Sequence, residues 1–267
     1  MGPSCEPVAF VTGASRGLGK ACAIELARAG FRVAVAARTV RASDERSLPG
    51  NLESTADAIA DIGGVALPVP LDLDDRSSVT AGVESVLHEW GRIDVLLNNA
   101  FYQTRESQAS LVDMSIEHLD KQVRVNLVAP MFLAKLVLPQ MLVRGEGTVV
   151  DMVSGAGVHE LETPPGHREW GIGYGTSKTG MIEIAAMLAS QFGEHGIRAF
   201  SVQPGIVLTE QVGAAIGDGT FDADSWDAPE CAALTIAWLA TAPEAAELNG
   251  ALIHAPTLVR DRNLLPS

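Results

Sequence analysis

The 267-residue sequence predicts an α/β fold: a doubly wound, mainly parallel sheet of seven strands with helices on both faces. Three observations predict it. Short apolar runs alternate with longer helix-patterned stretches along the chain. The runs are apolar at every position rather than every second one, as strands are when helices cover both faces of a sheet. No linker, repeat or composition break divides the chain, so residues 1–267 read as one domain.

The first strand is expected over Val8–Thr12. A helix follows over Gly17–Ala29, with Leu18, Ala21, Cys22 and Leu26 near one face and Gly30 as its stop. Further strands are expected over Arg32–Ala37, Ala66–Leu71, Ile93–Leu97, Gly147–Val153, Ile197–Gln203 and Ala251–His254. Helices are expected over Leu52–Ile62, Ser77–Trp90, Ser115–Arg144, Tyr174–Glu194 and Pro229–Thr241. Polar stretches interrupt the rhythm at Thr39–Asn51, Gly155–Gly173 and Glu210–Asp227, each after a strand end. Ligands of open α/β sheets sit at the carboxyl ends of strands, so specificity is expected in these loops.

Composition bounds the function. With 47% hydrophobic and 19% charged residues, the chain can bury a substantial core. A net charge of −14 argues against nucleic acid or an anionic membrane surface as partner, because like charges repel. The odd set Cys5, Cys22 and Cys231, widely spaced and without CxxC, argues against a disulfide framework or a metal site and fits a reducing compartment. The N-terminus lacks the pattern of a signal peptide, and no run of about 20 apolar residues is found. No membrane span is expected, and the expected location is the cytoplasm.

Thr12-Gly13-Ala14-Ser15-Arg16-Gly17-Leu18-Gly19 follows the first strand and opens the first helix. Its glycines let the backbone turn tightly and approach a pyrophosphate, to which the helix N-terminus presents unpaired N–H groups. Tyr174 and Lys178 stand four residues apart, on one face of a helix. Together with Asn98-Asn99-Ala100 after the fourth strand, these motifs resemble the short-chain dehydrogenase/reductase family, from Val8 to about His254. The resemblance implies a Rossmann-like fold that binds a nicotinamide cofactor. Asp72, at the end of the third strand, matches the family's acid that contacts the adenine amino group. Pro204-Gly205-Ile206-Val207-Leu208-Thr209 matches the stretch that holds the nicotinamide amide, Val207 through its backbone and Thr209 through its hydroxyl. The implied cofactor set is Gly13, Ser15, Arg16, Gly17, Leu18, Gly19, Arg38, Asp72, Leu73, Asn99, Ala100, Pro204, Gly205, Val207 and Thr209, with Tyr174 and Lys178.

Charge points to NADP(H). An NAD site wants an acid at the end of the second strand; an NADP site wants cations for the 2′-phosphate. Here Ala37 stands in place of the acid and Arg38 follows. With Arg16 of the glycine loop, two guanidiniums can converge on one phosphate.

In the family's Tyr-x-x-x-Lys, Tyr174 is the implied acid/base. A free phenol titrates near pH 10, and a neighbouring ammonium, together with the positive nicotinamide ring, is expected to lower that value. Lys178 is implied to hydrogen-bond the nicotinamide ribose, Ser154 to polarise the substrate carbonyl, and Asn126 to position a water in a proton relay.

The chain departs from the family pattern in three places. Phe101 stands where glycine is usual. The segment between Ser154 and Tyr174 is longer, which leaves Thr163 as an alternative to Ser154. It also carries His159 and His167, as surface or catalytic groups, and Trp170, as pocket wall or packing. At the C-terminus, Ala255-Pro256-Thr257-Leu258 replaces the strand that ends Asp-Gly-Gly in many relatives. The resemblance implies a homo-oligomer, dimer or tetramer, formed through Ser115–Arg144 and Tyr174–Glu194.

The expected reaction is hydride transfer between nicotinamide and a ketone or secondary alcohol, with a small-molecule substrate. Its pocket is expected from Phe101–Glu106, Gly155–Trp170 and Glu210–Trp226. These loops are apolar and acidic without a cluster of Arg or Lys, which favours a neutral, hydrophobic compound. Two alternatives stand beside a ketone reductase. One is a 3-oxoacyl-thioester reductase, which would want a basic patch for an acidic carrier. The other is a non-catalytic NADP-binding sensor, which would typically lack the Tyr or Lys.

Overall fold

The computed structural model describes residues 6–44, 48–158, 171–205, 207 and 229–265. Seven strands form one sheet: β1 Val8–Thr12, β2 Arg32–Ala37, β3 Ala66–Pro70, β4 Val95–Asn98, β5 Gly147–Met152, β6 Ile197–Gln203 and β7 Leu252–His254. Their order is β3-β2-β1-β4-β5-β6-β7, and every neighbouring pair is parallel. The expected α/β class, doubly wound with helices on both faces, is what the chain adopts.

Helices α1 Gly17–Arg28, α2 Leu52–Asp61, α3 Arg76–Trp90, α4 Ile116–Val123, α5 Ala129–Arg144, α6 Ile172–Phe192, α7 Pro229–Thr241 and α8 Ala255–Asp261 cover the sheet. All five residues of β1 are buried. Ala9 and Val11 enter one core with Leu26, Phe200 and Ile236, while Val8 and Phe10 enter the other with Val83, Leu133 and Met141. Successive strand side chains point to opposite faces, so two covered faces demand an apolar residue at each position. Each such Val, Leu or Phe is worth about 1.5–3 kcal/mol of burial.

Local signals set the helix ends. Asn51 and Ser54 form a reciprocal capping box at the start of α2, and the Asp75 carboxylate accepts from Ser77 N at 2.8 Å at the start of α3. Gly91 and Gly145, at φ 74° and 72°, end α3 and α5 in the left-handed conformation that favours glycine.

Two regions differ from the sequence reading. The single helix expected over Ser115–Arg144 carries a π turn, Arg124–Val128, between α4 and α5. The joined stretch Ile116–Arg144, 29 residues, is long and apolar enough by length and composition to cross a membrane. This corrects the reading that no such stretch exists. Lys135 interrupts the apolar run in sequence, while Leu133, Val137 and Met141 spend its apolar character on the sheet. After β7 the chain turns directly into α8, with Pro256 in its first turn, where no helix had been expected.

Candidate functional site

The strand order reverses between β1 and β4, and a cleft opens there at the strands' carboxyl ends. Gly13, Ser15, Arg16, Gly17, Leu18, Gly19, Arg38, Asp72, Leu73, Asn99 and Ala100 all line it, so eleven residues expected at the cofactor meet in one place. The wall between β1 and β4 is interlocked. Thr12 Oγ1 accepts from Asn99 N at 2.9 Å and Ala100 N at 3.0 Å, and donates to Leu97 O at 3.2 Å. Asn99 Nδ2 donates to Thr12 O at 2.9 Å. Gly13 sits at φ 69°, and a Cβ there would lie 2.8 Å from Asn99 Nδ2. A Cβ on Gly19 would fall on the Gly13 carbonyl oxygen. Only glycine admits this approach of loop and helix.

The cradle fits a dinucleotide. Arg16, the residue before α1, is extended at φ −164° and ψ 176°, its side chain makes no capping bond, and the first turn carries no acid. The helix therefore presents N–H groups and its positive end to the cleft, the arrangement an anion needs. At the end of β2, Ala37 and exposed Arg38 line the same cleft. The two expected arginines are not equivalent. Arg16 Nη2 donates to Gly50 O at 2.8 Å and Thr39 Oγ1 at 3.5 Å, which ties down the segment after β2. Arg38 makes no ion pair among the described residues.

The acid/base candidates lie on α6 and in the turn after β5. Tyr174 and Lys178 occupy the first turns of α6, buried on one face, with Lys178 Nζ 5.9 Å from the Tyr174 ring centroid. Ser154 follows β5, and its hydroxyl hydrogen-bonds the Tyr174 phenol. Ser154 Oγ also accepts from Ala156 N at 3.2 Å, which opens the short turn Gly155–Gly157. Lys178 Nζ donates to Met152 O at 2.8 Å.

The protein's own groups do not by themselves give the expected lowering of the Tyr174 pKa. Burial pushes the phenol up to about 12, and the Ser154 hydrogen bond opposes it without winning. Burial lowers Lys178 to about 8, against the attraction of Asp151. Desolvation is the largest cause for both groups because both are shut away from water.

Asn126 sits fully buried in the π turn, as such turns at functional sites often place a residue. Its Oδ1 accepts from Tyr102 N at 2.6 Å and its Nδ2 donates to Tyr102 O at 3.0 Å. The side chain thus clamps the main chain after β4. Pro204, Gly205 and buried Val207 follow β6, outside the lining of the glycine-loop cleft. Gly205 has φ 85°. Val153 N donates to Val202 O at 2.8 Å, which keeps the end of β6 beside Ser154. Thr209, Thr163, His159, His167 and Trp170 lie outside the described residues.

The sequence reading missed Asp151 and the role of Asn98. They are cross-strand partners on β4 and β5, and Asn98 Nδ2 donates to Asp151 Oδ1 at 2.8 Å. Asp151 is fully buried and its pKa is raised to about 7, by desolvation first, with Asn98 and Lys178 opposing. A lone acid inside Thr148-Val149-Val150-Asp151-Met152 was the available signal, since a central strand does not bury a carboxylate without cause.

The family model for short chain dehydrogenase matches residues 7–217. A 3-oxoacyl-[acyl-carrier-protein] reductase of Synechocystis sp. is 32% identical over 247 residues, which cover 91% of this chain and 92% of that protein. A cyclohexanol dehydrogenase of Rhodococcus sp. is 30% identical over 79% of each chain. Among solved structures, a metagenomic short-chain oxidoreductase in complex with NADP superposes with a TM-score of 0.73 at 27% identity, over 93% of this chain and 96% of that one.

Proposed function

The chain belongs to the short-chain dehydrogenase family and is an oxidoreductase acting on small molecules, and on that premise we propose that it uses NADP(H) to interconvert a neutral, hydrophobic ketone and its secondary alcohol. The observation that carries this reading is the buried Tyr174–Lys178 pair, its phenol hydrogen-bonded to Ser154, beside a cleft lined by the glycine loop.

The cofactor supplies or accepts the hydride. Gly13, Gly17 and Gly19 would let the backbone approach its pyrophosphate, to which the start of α1 would offer N–H groups. Arg38, with no acid at Ala37, supports a 2′-phosphate. The NADP complex of the metagenomic neighbour is consistent with that preference. Tyr174 Oη gives a proton to the carbonyl oxygen in reduction and takes it back in oxidation. Ser154 Oγ donates to the same oxygen and orients the phenol. Lys178 supplies the positive charge that favours phenolate, and Asn126 keeps the loop after β4 in place through Tyr102.

The test is oxidation of NADPH and NADH by the purified protein with a panel of cyclic and aliphatic ketones. NADPH is expected to be preferred; equal efficiency with NADH, or a preference for it, would refute the cofactor reading. The Synechocystis relative favours a second reading, reduction of 3-oxoacyl thioesters. It predicts turnover on a 3-oxoacyl thioester well above that on any simple ketone.

We also propose a homo-oligomer. An apolar groove between α5 and α6, bordered by Met131, Leu138, Ile184 and Met187, leaves Met131 and Met187 exposed. Light scattering at several concentrations reads the state directly, and a monomer throughout would remove this proposal.

A further inference from the structure

Phe101 stands at the seam between the glycine-loop cleft and the acid/base pair. It lines the cleft, and its ring meets Tyr174 edge-on, with centroids 6.0 Å apart and planes at 61°. Lys178 Nζ lies 5.4 Å from the centre of the same ring, within reach of a cation–π contact. Phe101 thus lines the cleft and has a ring contact with both members of the pair.

The ring is held there by its neighbours. Ala100 N donates to Thr12 Oγ1 at 3.0 Å on one side. Tyr102 is clamped through both N and O by Asn126 on the other, at 2.6 and 3.0 Å. The main chain is therefore bracketed by β1 and by the π turn, and Phe101 cannot swing aside as a loop tip would. Phe101 itself is half-buried, whereas Tyr174 and Lys178 behind it are buried.

We propose that Phe101 is a positioning residue: its ring seals the Tyr174–Lys178 pair from the water of the cleft and holds the Lys178 ammonium against its face. This rests on the reading of Tyr174 and Lys178 as the acid/base pair. A glycine at this position would leave the gap open to water.

Among the described residues, the other groups facing the pair act through charge, hydrogen bonds or contact from its buried side rather than from the cleft. From β5, Asp151 attracts the Lys178 ammonium. Ser154, after β5, hydrogen-bonds the phenol. Met152 O accepts from Lys178, and Met181 on α6 lies with its sulfur 3.5 Å from Nζ. Burial is the largest cause of displacement for both groups, Tyr174 up to about 12 and Lys178 down to about 8. Removal of an apolar cover relaxes both toward their ordinary values.

The chain has two tyrosines, so a phenolate absorbance titration can isolate one of them. In a Tyr102→Phe background, the signal belongs to Tyr174 alone. With Phe101 present, phenolate is expected to form only together with alkaline loss of fold, followed by circular dichroism on the same samples. In Phe101→Ala, phenolate should form at least about one pH unit below the loss of fold. Phe101→Leu keeps an apolar cover and should behave as the parent. Phe101→Ser removes the ring by a different side chain and serves as the second open variant. Phenolate formation that still coincides with unfolding in the folded Ala or Ser variant overturns the proposal. The titration uses no turnover, so its failure leaves the acid/base role of Tyr174 to be decided by activity.

Discussion

Around the glycine loop, most polar atoms are spent on main-chain partners: Thr12 Oγ1 makes three bonds, Asn99 reaches back to β1, and Arg16 holds Gly50 through Nη2, with its Nε the buried exception. Around Lys178 the accounting is different. Asn98 Oδ1 and Asp151 Oδ2 are buried with no hydrogen-bond partner, and Asp151, Tyr174 and Lys178 all titrate far from their ordinary values. The first half of the site is defined by shape and the second by charge. A change of volume should therefore damage the first, and a change of ionisation the second. Phe101 is where the two halves touch.

Lys178→Met tests the charge half most severely. It keeps the length of a buried side chain and removes the ammonium. Turnover is expected to fall by about 10²–10³-fold in steady-state assays, with cofactor affinity, followed by fluorescence, far less affected. Equal losses in both would mean that Lys178 acts through cofactor binding alone.

Gly19→Ala tests the shape half. The added methyl has the Gly13 carbonyl in its way, which is main chain, and Asn99 Nδ2, which is held by its bond to Thr12 O. A stability loss of about 1–3 kcal/mol in denaturant unfolding is expected, with cofactor binding weakened at least about tenfold. A neutral outcome would show that the loop and Asn99 are less tightly locked than their hydrogen bonds indicate.

Arg38→Ala changes charge at the edge of the shape half. NADPH efficiency should drop about tenfold relative to NADH, as loss of one exposed charge-assisted bond implies. An unchanged ratio would shift the weight to Arg16.

The smallest effect is expected from Asp151→Asn, and it is a matter of pH. The folded pKa of Asp151, about 7, lies above its ordinary value of 3.8. Below the lower value the acid is protonated in both states and contributes nothing. As pH rises toward 7 the unfolded chain releases that proton more readily, and the wild type loses stability. The Asn variant has no such loss. Its melting temperature relative to wild type should therefore rise between pH 4 and pH 8, by on the order of a few degrees. A pH-independent difference would mean that Asp151 is ionised throughout.

What was legible in the sequence follows the same division. Strand Val8–Thr12 and helix Pro229–Thr241 match their expected bounds, because buried periodicity and a proline at a helix start are local signals. Gly13, Gly19 and Asn99 were legible because their motif dictates backbone geometry within a few residues. The π turn was not, since a single wide turn leaves the apolar pattern of Ser115–Arg144 almost unchanged. The raised Tyr174 pKa was not either. The spacing of Tyr174 and Lys178 reveals that they share a face, but desolvation depends on what the fold packs around them, and the Phe101 ring is brought there from a distant element. Asp151 acquires its meaning only once β4 sets Asn98 across from it.

The central claim is that Tyr174 exchanges the proton during hydride transfer. The direct measurement is NADPH oxidation with a turned-over ketone by wild type and Tyr174→Phe, alongside NADPH binding to both. The account predicts a fall in turnover of about 10³-fold or more with binding preserved. A Tyr174→Phe variant that keeps turnover within about tenfold of wild type, below the span a general acid supplies, would contradict it.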